Sequence, residues 1–220
     1  MKIFLTGGTG FIGSNLINEL TNNNHKVIST INKRKKTAVK LTQKPIWIQK
    51  PLNKLKPENF KKIDVLIHLA SHKIYPPYDS LDKYLYWNVY APLIMAKNAC
   101  KAGVKKFIII GSCFEYGKTS NQIKYLKPNS KLCPIDNYSF SKSVASLMFE
   151  KFSQNEKLIK IKILRLFHTF GEGEHKSRFY PSLIKAAMLN KNFSMTNGNQ
   201  LRDFLHINTA TKKIKNELNF

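Results

Sequence analysis

Acidic residues are scarce in this chain of 220 residues: 13 aspartates and glutamates stand against 37 lysines and arginines, which gives a formal net charge of +24. Arginine is scarce too, since the basic residues are lysines except at Arg34, Arg165, Arg178 and Arg202. Proteins that bind nucleic acids favour arginine because its planar guanidinium makes paired hydrogen bonds. The scattered lysines therefore argue against a nucleic-acid partner, whereas the positive charge favours an anionic small molecule.

Cysteine and long apolar runs are also rare. Cys100, Cys113 and Cys133 form an odd number without C-x-x-C spacing, so the sequence predicts neither a disulfide framework nor a metal site. An apolar stretch of about eighteen residues, the length that spans a membrane, does not occur. The first residues lack the pattern of a signal peptide. The sequence predicts a cytoplasmic protein without a membrane span.

Short β-branched runs alternate with longer helical patterns along the chain. The predicted strands are 2–7, 26–31, 64–70, 105–112 and 161–167, and the predicted helices are 11–24, 81–102, 138–155 and 179–190. Strands that are apolar on both faces are typical of parallel sheets covered by crossover helices. The sequence therefore predicts an α/β fold with a doubly wound parallel sheet of the Rossmann type. Its least regular part is 32–62.

The glycine-rich segment TGGTGFIG follows the first predicted strand and begins the first predicted helix. Gly7, Gly10 and Gly13 recur at one-turn spacing. A tight turn, a close approach to a pyrophosphate and close packing of helix on strand each require a missing side chain. The helix N-terminus, at Phe11 and Ile12, adds amide donors and the positive end of a dipole. These five residues are the predicted dinucleotide site.

A second motif, YSFSK, places Tyr138 and Lys142 four residues apart on a predicted helix, downstream of Ser112 at the end of an apolar strand. With it, the chain resembles the extended short-chain dehydrogenase/reductases, the NAD(P)-dependent epimerase/dehydratase family that acts on nucleotide sugars. Seven motifs occur in the family's order: TGGTGFIG, DVLIHLAS, NVYAPL, GSCFEYG, YSFSK, RLFHTFGEGE and QLRDFLHI. The resemblance covers almost the whole chain.

The resemblance implies that Ser112, Tyr138 and Lys142 form the catalytic group. Ser112 would hydrogen-bond the substrate oxygen at the carbon that exchanges hydride, and Tyr138 would transfer the proton. A tyrosine needs a neighbouring cation to form its phenolate near neutral pH, and Lys142 supplies that cation one helical turn away. Lys142 would also hold the nicotinamide ribose.

The resemblance further implies binding residues around this group. Leu69 and Ala70 would border the cofactor, and Asn88 would support the site. Arg202 would contact the diphosphate of a nucleotide-sugar substrate. Arg178 is either a further substrate contact or a solvated surface arginine.

The chain departs from the family's pattern after Ser112. Family dehydratases place an aspartate and a glutamate there, whereas this chain has Cys113 and Phe114. Phenylalanine cannot transfer a proton, so 4,6-dehydration is disfavoured, and Glu115 would face away if the segment stays extended. His168 stands where relatives carry asparagine, either as a packed histidine or as a substrate contact.

The end of the second predicted strand bears on the choice of cofactor. Domains that select NAD end this strand with an acidic residue, but KVISTINKRKK has Ile31 and Asn32 there, followed by a basic cluster. Arg34 in this cluster is suited to bind a 2′-phosphate through paired hydrogen bonds. The sequence predicts NADP. The alternative is that these lysines merely belong to the general excess and that the cofactor is NAD.

The function expected from these features is that of an NADPH-dependent reductase of a 4-keto-deoxy nucleotide sugar, in surface polysaccharide biosynthesis. Two alternatives are a 4-epimerase that retains NAD and a cofactor-binding remnant without catalysis. We expect a dinucleotide-binding domain at 1–170 and the beginning of a substrate domain at 171–220. Family members usually continue well past the RDF motif, so the chain is expected to be truncated and weakly active. A homodimer is also expected.

Overall fold

The computed structural model describes residues 1–31, 36–156 and 158–220. The strands are β1 (Lys2–Thr6), β2 (Lys26–Thr30), β3 (Ile46–Ile48), β4 (Val65–His68), β5 (Lys106–Ser112), β6 (Lys160–Leu166), β7 (His168–Phe170) and β8 (Phe204–His206). The helices are α1 (Phe11–Asn22), α2 (Leu81–Leu85), α3 (Ala91–Lys101), α4 (Asn137–Asn155), α5 (Phe179–Met188) and α6 (Ile207–Asn216). A π-helical segment, Tyr86–Tyr90, joins α2 to α3, which accounts for the single long helix predicted there.

Six strands form one parallel sheet in the order β3-β2-β1-β4-β5-β6. This arrangement confirms the predicted doubly wound α/β fold. The chain winds outward from β1 to β3, then returns to the centre and winds the other way from β4 to β6. In such sheets ligands bind beyond the carboxyl ends of the strands where the winding reverses, which here lies between β1 and β4.

One face of the sheet packs against α3 and α4. Phe4, Leu66 and Phe107 from the strands share a buried cluster with Met95 of α3 and Phe149 of α4. All five side chains are fully removed from solvent. Burial of such side chains contributes about 1.5–3 kcal/mol each, so this face fixes α4, which carries the YSFSK motif, against the sheet.

The opposite face packs against α1 and α6. Leu5 and Ile67 from the strands share a second cluster with Leu16 of α1 and Ile214 of α6. Helix α6 therefore packs on α1 although it lies far along the chain. The expected division into domains at residue 170 stays a prediction. Helix α6 lies beyond that residue in the chain and covers this core.

Three strands were absent from the sequence prediction. Strand β3 lies at the sheet edge within the segment expected to be irregular, and β7 and β8 pair with each other in a small parallel sheet. Each has three residues, too few to display an alternating or continuous apolar pattern.

The described residues form neither a membrane-spanning helix nor a cluster of metal ligands. No helix in 1–31, 36–156 or 158–220 is both long and apolar enough to cross a membrane. Over the same ranges, no three or more histidine, cysteine, aspartate or glutamate side chains gather where they could hold a metal ion.

Candidate active site

The glycine-rich segment forms a tight turn between β1 and α1. Gly7 has φ of +78°, in the left-handed region that favours glycine, and its carbonyl accepts a hydrogen bond from the Gly10 amide at 3.0 Å. A Cβ atom at Gly13 would lie only 2.2 Å from the Gly7 carbonyl oxygen, so a side chain there would push the helix off the turn. These glycines line a cavity together with Phe11 and Ile12 at the start of α1.

Two adjoining cavities lie beyond the carboxyl ends of the strands. The larger, of about 550 Å³, reaches Thr30, the last residue of β2, and Lys50. The smaller, of about 430 Å³, lies over the end of β5. Five residues line both: Gly7, Gly10, Leu69, Ser71 and Ile74. An elongated cleft that crosses bare glycine backbone and a helix N-terminus fits a dinucleotide.

Ser112, Tyr138 and Lys142 all line the smaller cavity. Ser112 is the last residue of β5, at the carboxyl edge of the sheet. The start of α4 is fixed by Asp136, whose Oδ1 accepts a hydrogen bond from the Ser139 amide at 2.7 Å. This cap places Tyr138 in the first turn and Lys142 in the next. The structure therefore brings the three predicted catalytic residues together.

The surroundings of Tyr138 and Lys142 determine their protonation. Burial raises the pKa of Tyr138 to about 12, against the nearby hydroxyls of Ser112 and Ser71, which lower it. The Nζ of Lys142 donates to the Ile110 carbonyl oxygen at 2.6 Å, and burial lowers the pKa of this lysine. Sequence reasoning expected Lys142 to favour the phenolate. In the structure burial has the largest influence on the pKa of Tyr138, and it favours the protonated phenol.

Glu115 lies beneath the site and was not among the predicted site residues. The segment Cys113–Glu115 forms a 3₁₀ turn rather than an extended strand, which brings the Glu115 carboxylate back under Ser112. One oxygen, Oε1, accepts a hydrogen bond from the Ser112 amide at 2.7 Å. The other, Oε2, accepts from the Ser146 hydroxyl and from Arg165 Nε, both at 2.7 Å. The S-x-x-E pattern from Ser112 to Glu115, a capping box, was the sequence signal for this turn.

The two residues at the dehydratase positions line the cavity, and neither of them is a carboxylic acid. Burial raises the pKa of the Cys113 thiol to about 11, so it stays protonated at neutral pH. The Phe114 ring packs edge-on against Tyr138 and His168, with ring centroids 6.5 and 5.8 Å apart. This part of the cavity wall is therefore apolar.

The opposite wall carries His168, Glu174 and Arg178, which all line the smaller cavity. Arg178 Nε lies 3.6 Å from Glu174 Oε1, while Glu174 Oε2 is buried without a hydrogen-bond partner in the described part of the chain. Arg202 is exposed and reaches the cavity through His168, with 3.2 Å between Nη1 and Nε2. Burial, and then the charge of Arg202, lower the pKa of His168. Of the two predicted substrate residues, Arg178 lines this wall, whereas Arg202 contacts His168 and does not itself line the cavity.

Leu69 and Ala70, the predicted border of the cofactor, line the larger cavity. Their amides both donate to Thr6 Oγ1 at 3.2 Å. The same hydroxyl lies 2.7 Å from Nδ1 of His68, a fully buried histidine whose pKa burial lowers to about 3. A neutral imidazole therefore helps to fix this turn, in a structural role.

Asn88 ties α4 to the loop after β4. Its Nδ2 donates to the Ser141 hydroxyl at 2.9 Å, and its Oδ1 accepts from the His72 amide at 2.8 Å. The side chain is buried. Among the described residues, Asn88 supports the wall of the cavity from behind and is not part of its lining.

Arg34, the residue predicted to bind a 2′-phosphate, lies outside the described residues. Thr30, the last residue of β2, and Lys50 line the larger cavity. Among the described residues of that lining there is no carboxylate.

Comparison with known proteins gives a family. The model described as "NAD dependent epimerase/dehydratase family" matches residues 3–212. A curated relative from Aggregatibacter actinomycetemcomitans, GDP-6-deoxy-D-talose 4-dehydrogenase, is 27% identical, and the alignment covers 94% of this chain and 67% of the relative. UDP-glucose 4-epimerase from Neisseria meningitidis serogroup C is 26% identical, with 94% and 69% covered.

A solved structure agrees with this family. It is that of TunA, described as an NAD dependent NDP-hexosamine 5,6-dehydratase involved in tunicamycin biosynthesis. Its TM-score is 0.88 at 25% identity, and the match covers 99% of this chain and 72% of TunA. The chain thus spans about two thirds to three quarters of the length of these proteins.

Proposed function

The chain belongs to the NAD dependent epimerase/dehydratase family, and we propose that it carries the cofactor and proton-transfer residues of an NADPH-dependent reductase of a 4-keto-deoxy nucleotide sugar. The observation that carries this proposal is the convergence of Ser112, Tyr138 and Lys142 on a cavity that also contains the glycine turn. The cofactor, when bound along the glycine turn, supplies the hydride. The chain's own residues supply orientation and the proton.

Each of the three residues has a task in such a reduction. The Tyr138 hydroxyl, protonated because it is buried, donates a proton to the oxygen of the carbon that is reduced. The Ser112 hydroxyl holds the same oxygen in reach of that proton. Lys142, fixed by the Ile110 carbonyl, offers its remaining Nζ donors to the nicotinamide ribose.

The residues next to Ser112 favour reduction over dehydration. Elimination of water from a sugar ring needs an acid and a base in addition to the tyrosine. Of the two residues at these positions, Phe114 can neither donate nor accept a proton, and Cys113 is a thiol whose pKa burial raises, not a carboxylic acid. The name of the Aggregatibacter relative, a 4-dehydrogenase, supports hydride exchange at the 4-carbon.

A 4-epimerase that retains NAD is the second candidate. It is favoured by the epimerase from Neisseria meningitidis, which matches the chain over a similar length. An epimerase uses the same tyrosine first as base and then as acid, and it regenerates its cofactor in each cycle. The two candidates therefore differ in whether nicotinamide is consumed.

The test is incubation of the purified chain with a panel of nucleotide 4-keto-6-deoxy sugars and NADPH. We expect one member of the panel to be reduced with consumption of one NADPH per product, followed by absorbance and by NMR of the product. Parallel incubation with UDP-sugars and NAD tests for interconversion without net reduction. Interconversion alone would favour the epimerase, and no turnover in either set would favour a remnant without catalysis.

TunA, described as NAD dependent, favours NAD, whereas the charge beside the ends of β2 and β3 favours NADP. The described lining of the larger cavity holds Lys50 and no carboxylate, so a 2′-phosphate would meet no like charge there. We expect tighter binding of NADPH than of NADH in fluorescence titrations. Arg34→Ala should weaken NADPH and leave NADH nearly unchanged, whereas Lys101→Ala, at the exposed end of α3, should affect neither. Equal or tighter NADH binding by the wild type would favour NAD.

The remaining expectations from the sequence stay predictions. They are a cytoplasmic location, a homodimer, a role in surface polysaccharide biosynthesis, and the division into a cofactor domain at 1–170 and part of a substrate domain at 171–220. The weak activity expected of this chain alone is tested by the same turnover assay, with kcat/KM as the readout.

A further inference from the structure

Glu115 is an unusual residue to find under a cavity that receives anions. Its side chain is fully buried, and the chain has few carboxylates to place. An unpaired buried carboxylate is costly, and even a buried ion pair is often no more stabilising than apolar side chains of similar volume. Stability alone therefore does not account for a carboxylate at this position.

The hydrogen bonds of Glu115 connect three elements at the site. Through Oε1 it binds the Ser112 amide at the end of β5. Through Oε2 it binds Ser146, one turn after Lys142 on α4, and Arg165 on β6. The carboxylate thus links the strand that carries Ser112 to the helix that carries Tyr138.

The backbone at Gly111 is adapted to this carboxylate. A Cβ atom at residue 111 would lie 2.6 Å from Glu115 Oε1 and 3.0 Å from Arg165 Cγ. Glycine, directly before Ser112, therefore leaves the space in which the carboxylate reaches the Ser112 amide. This steric fit is an observation independent of the hydrogen bonds.

From this geometry we infer that Glu115 is a positioning residue, which acts through the Ser112 amide to hold the Ser112 hydroxyl in register with Tyr138. It does not touch substrate, and it is distinct from the acidic pair of dehydratases because its carboxylate points beneath the cavity rather than into it. The inference rests on the proposed function in that Ser112 and Tyr138 share one substrate oxygen.

Two substitutions of Glu115 separate positioning from charge. Glu115→Met fills the space without an acceptor, and we expect kcat to fall about 100-fold, the scale of a small misplacement of a reacting group. Glu115→Gln keeps one acceptor for the Ser112 amide, and we expect it to lose less than about tenfold. The affinity for NADPH should stay within about twofold in both, because the glycine turn is unchanged.

Two further variants test whether Glu115 acts through its contact with the Ser112 amide. Gly111→Ala should also lower kcat, because its methyl group displaces the carboxylate while all charges remain. Glu150→Gln is the matched control: Glu150 also lies beside Arg165, at 3.8 Å, but it is half-exposed and does not contact Ser112. A kcat within about threefold of wild type for Glu115→Met, or a loss as large in Glu150→Gln, would overturn the inference.

A measurement without substrate distinguishes failure of this inference from failure of the proposed function. In NMR spectra the Ser112 amide proton should move upfield and exchange faster with solvent in Glu115→Met than in wild type and Glu150→Gln. An unchanged Ser112 amide in folded Glu115→Met overturns the inference, whatever the turnover. If the wild type turns over no substrate, the proposed function fails and the amide result alone decides.

The single variant leaves Arg165 without its buried partner and its fold is at risk for that reason. If Glu115→Met does not fold, the double variant Glu115→Met/Arg165→Met removes both charges together. It still lacks the acceptor for the Ser112 amide, so the same loss of kcat and the same amide shift are expected. Wild-type values in the folded double variant would overturn the inference.

Discussion

The two walls of the smaller cavity are built differently. In the wall formed by the end of β5 and by α4, the side chains of Ser112, Lys142 and Glu115 are buried. Lys142 and Glu115 also make hydrogen bonds of 2.6 to 2.7 Å. The wall formed by β7 and by the segment from Glu174 to Arg178, which leads into α5, is open. None of the ten residues of α5 is buried, and Glu174 has an oxygen without a partner in the described part of the chain.

The two walls meet different requirements of the site, namely precise positioning for proton transfer and freedom to recognise a ligand. Groups that move protons have to be held within a fraction of an ångström, which the packed wall achieves through burial and hydrogen bonds. Groups that recognise a ligand tolerate more freedom, and segments with few buried contacts are the ones that open and rearrange. We therefore expect substitutions in the first wall to affect kcat and stability, and those in the second to affect KM.

The largest expected effect is that of Tyr138→Phe, which removes only the hydroxyl of the packed wall. General acid–base groups contribute about 10²–10⁴-fold, so kcat should fall by this factor while NADPH affinity is retained. Arg202→Ala, next to His168 of the open wall, should mainly raise KM. Steady-state kinetics on the substrate found in the panel measure both. Tyr138→Phe activity within about twofold of wild type would refute the role of this tyrosine.

The second effect concerns stability. Phe149→Ala opens a cavity beneath α4 and should lower the free energy of unfolding by about 3–5 kcal/mol, since Phe149 is fully buried. Ile184→Ala on α5 should change it by less than about 0.5 kcal/mol, because Ile184 is 43% exposed. Urea denaturation measures both values. Similar losses for the two variants would remove the contrast between the walls.

The third effect is on pH dependence. The pKa of His68, about 3 in the fold, lies below its ordinary value of 6.5, so between these values the unfolded chain binds more protons. Acid therefore favours the unfolded chain, in which His68 can take up a proton. The free energy of unfolding is unaffected by His68 well above pH 6.5, and it falls by about 1.4 kcal/mol per pH unit as the pH drops from there toward 3. Between pH 6.5 and 5, His68→Gln should remove about 2 kcal/mol of the wild-type pH dependence of unfolding. His168→Gln, in the half-buried setting of the open wall, should remove less. Equal slopes in wild type and His68→Gln would contradict the prediction.

The smallest effect is expected at Glu174. Burial raises the pKa of its carboxyl, so the charged form is less stable in the fold than in the unfolded chain and stability falls as the pH rises through that pKa. Glu174→Gln should therefore raise the free energy of unfolding at pH 7, by up to about 1 kcal/mol. Denaturation at pH 7 measures this change. A loss of stability would show that the contact with Arg178 outweighs the cost of burial.

The sequence predicted the packed wall better than the open one, and physical reasons account for this. Strand β5 is continuously apolar and YSFSK has helical spacing, so local patterns placed Ser112 at a strand end and Tyr138 and Lys142 on one helix. The family resemblance then joined the three residues in one group. The pairing of β7 with β8 joins short segments far apart in the chain, which no local pattern specifies.

Glu115 illustrates the limit of local reasoning within the packed wall. Its orientation depended on whether the segment after Ser112 continues as a strand or turns. Its partner Arg165 lies fifty positions further along, so their contact follows from the pairing of β5 with β6. Only the sheet topology, once known, brings the two charges together.

The packing of α6 on α1 has a consequence for biosynthesis. The face of the sheet that receives α3 and α4 is complete once β6 ends at Leu166, while the opposite face stays partly uncovered until α6, beginning at Ile207, leaves the ribosome. At translation rates of about 5–20 residues per second, this interval lasts on the order of seconds. During it Leu16 and Leu5 belong to a nascent apolar surface. We expect chaperones to engage this surface in chains stalled between the two points, and to release it when α6 docks.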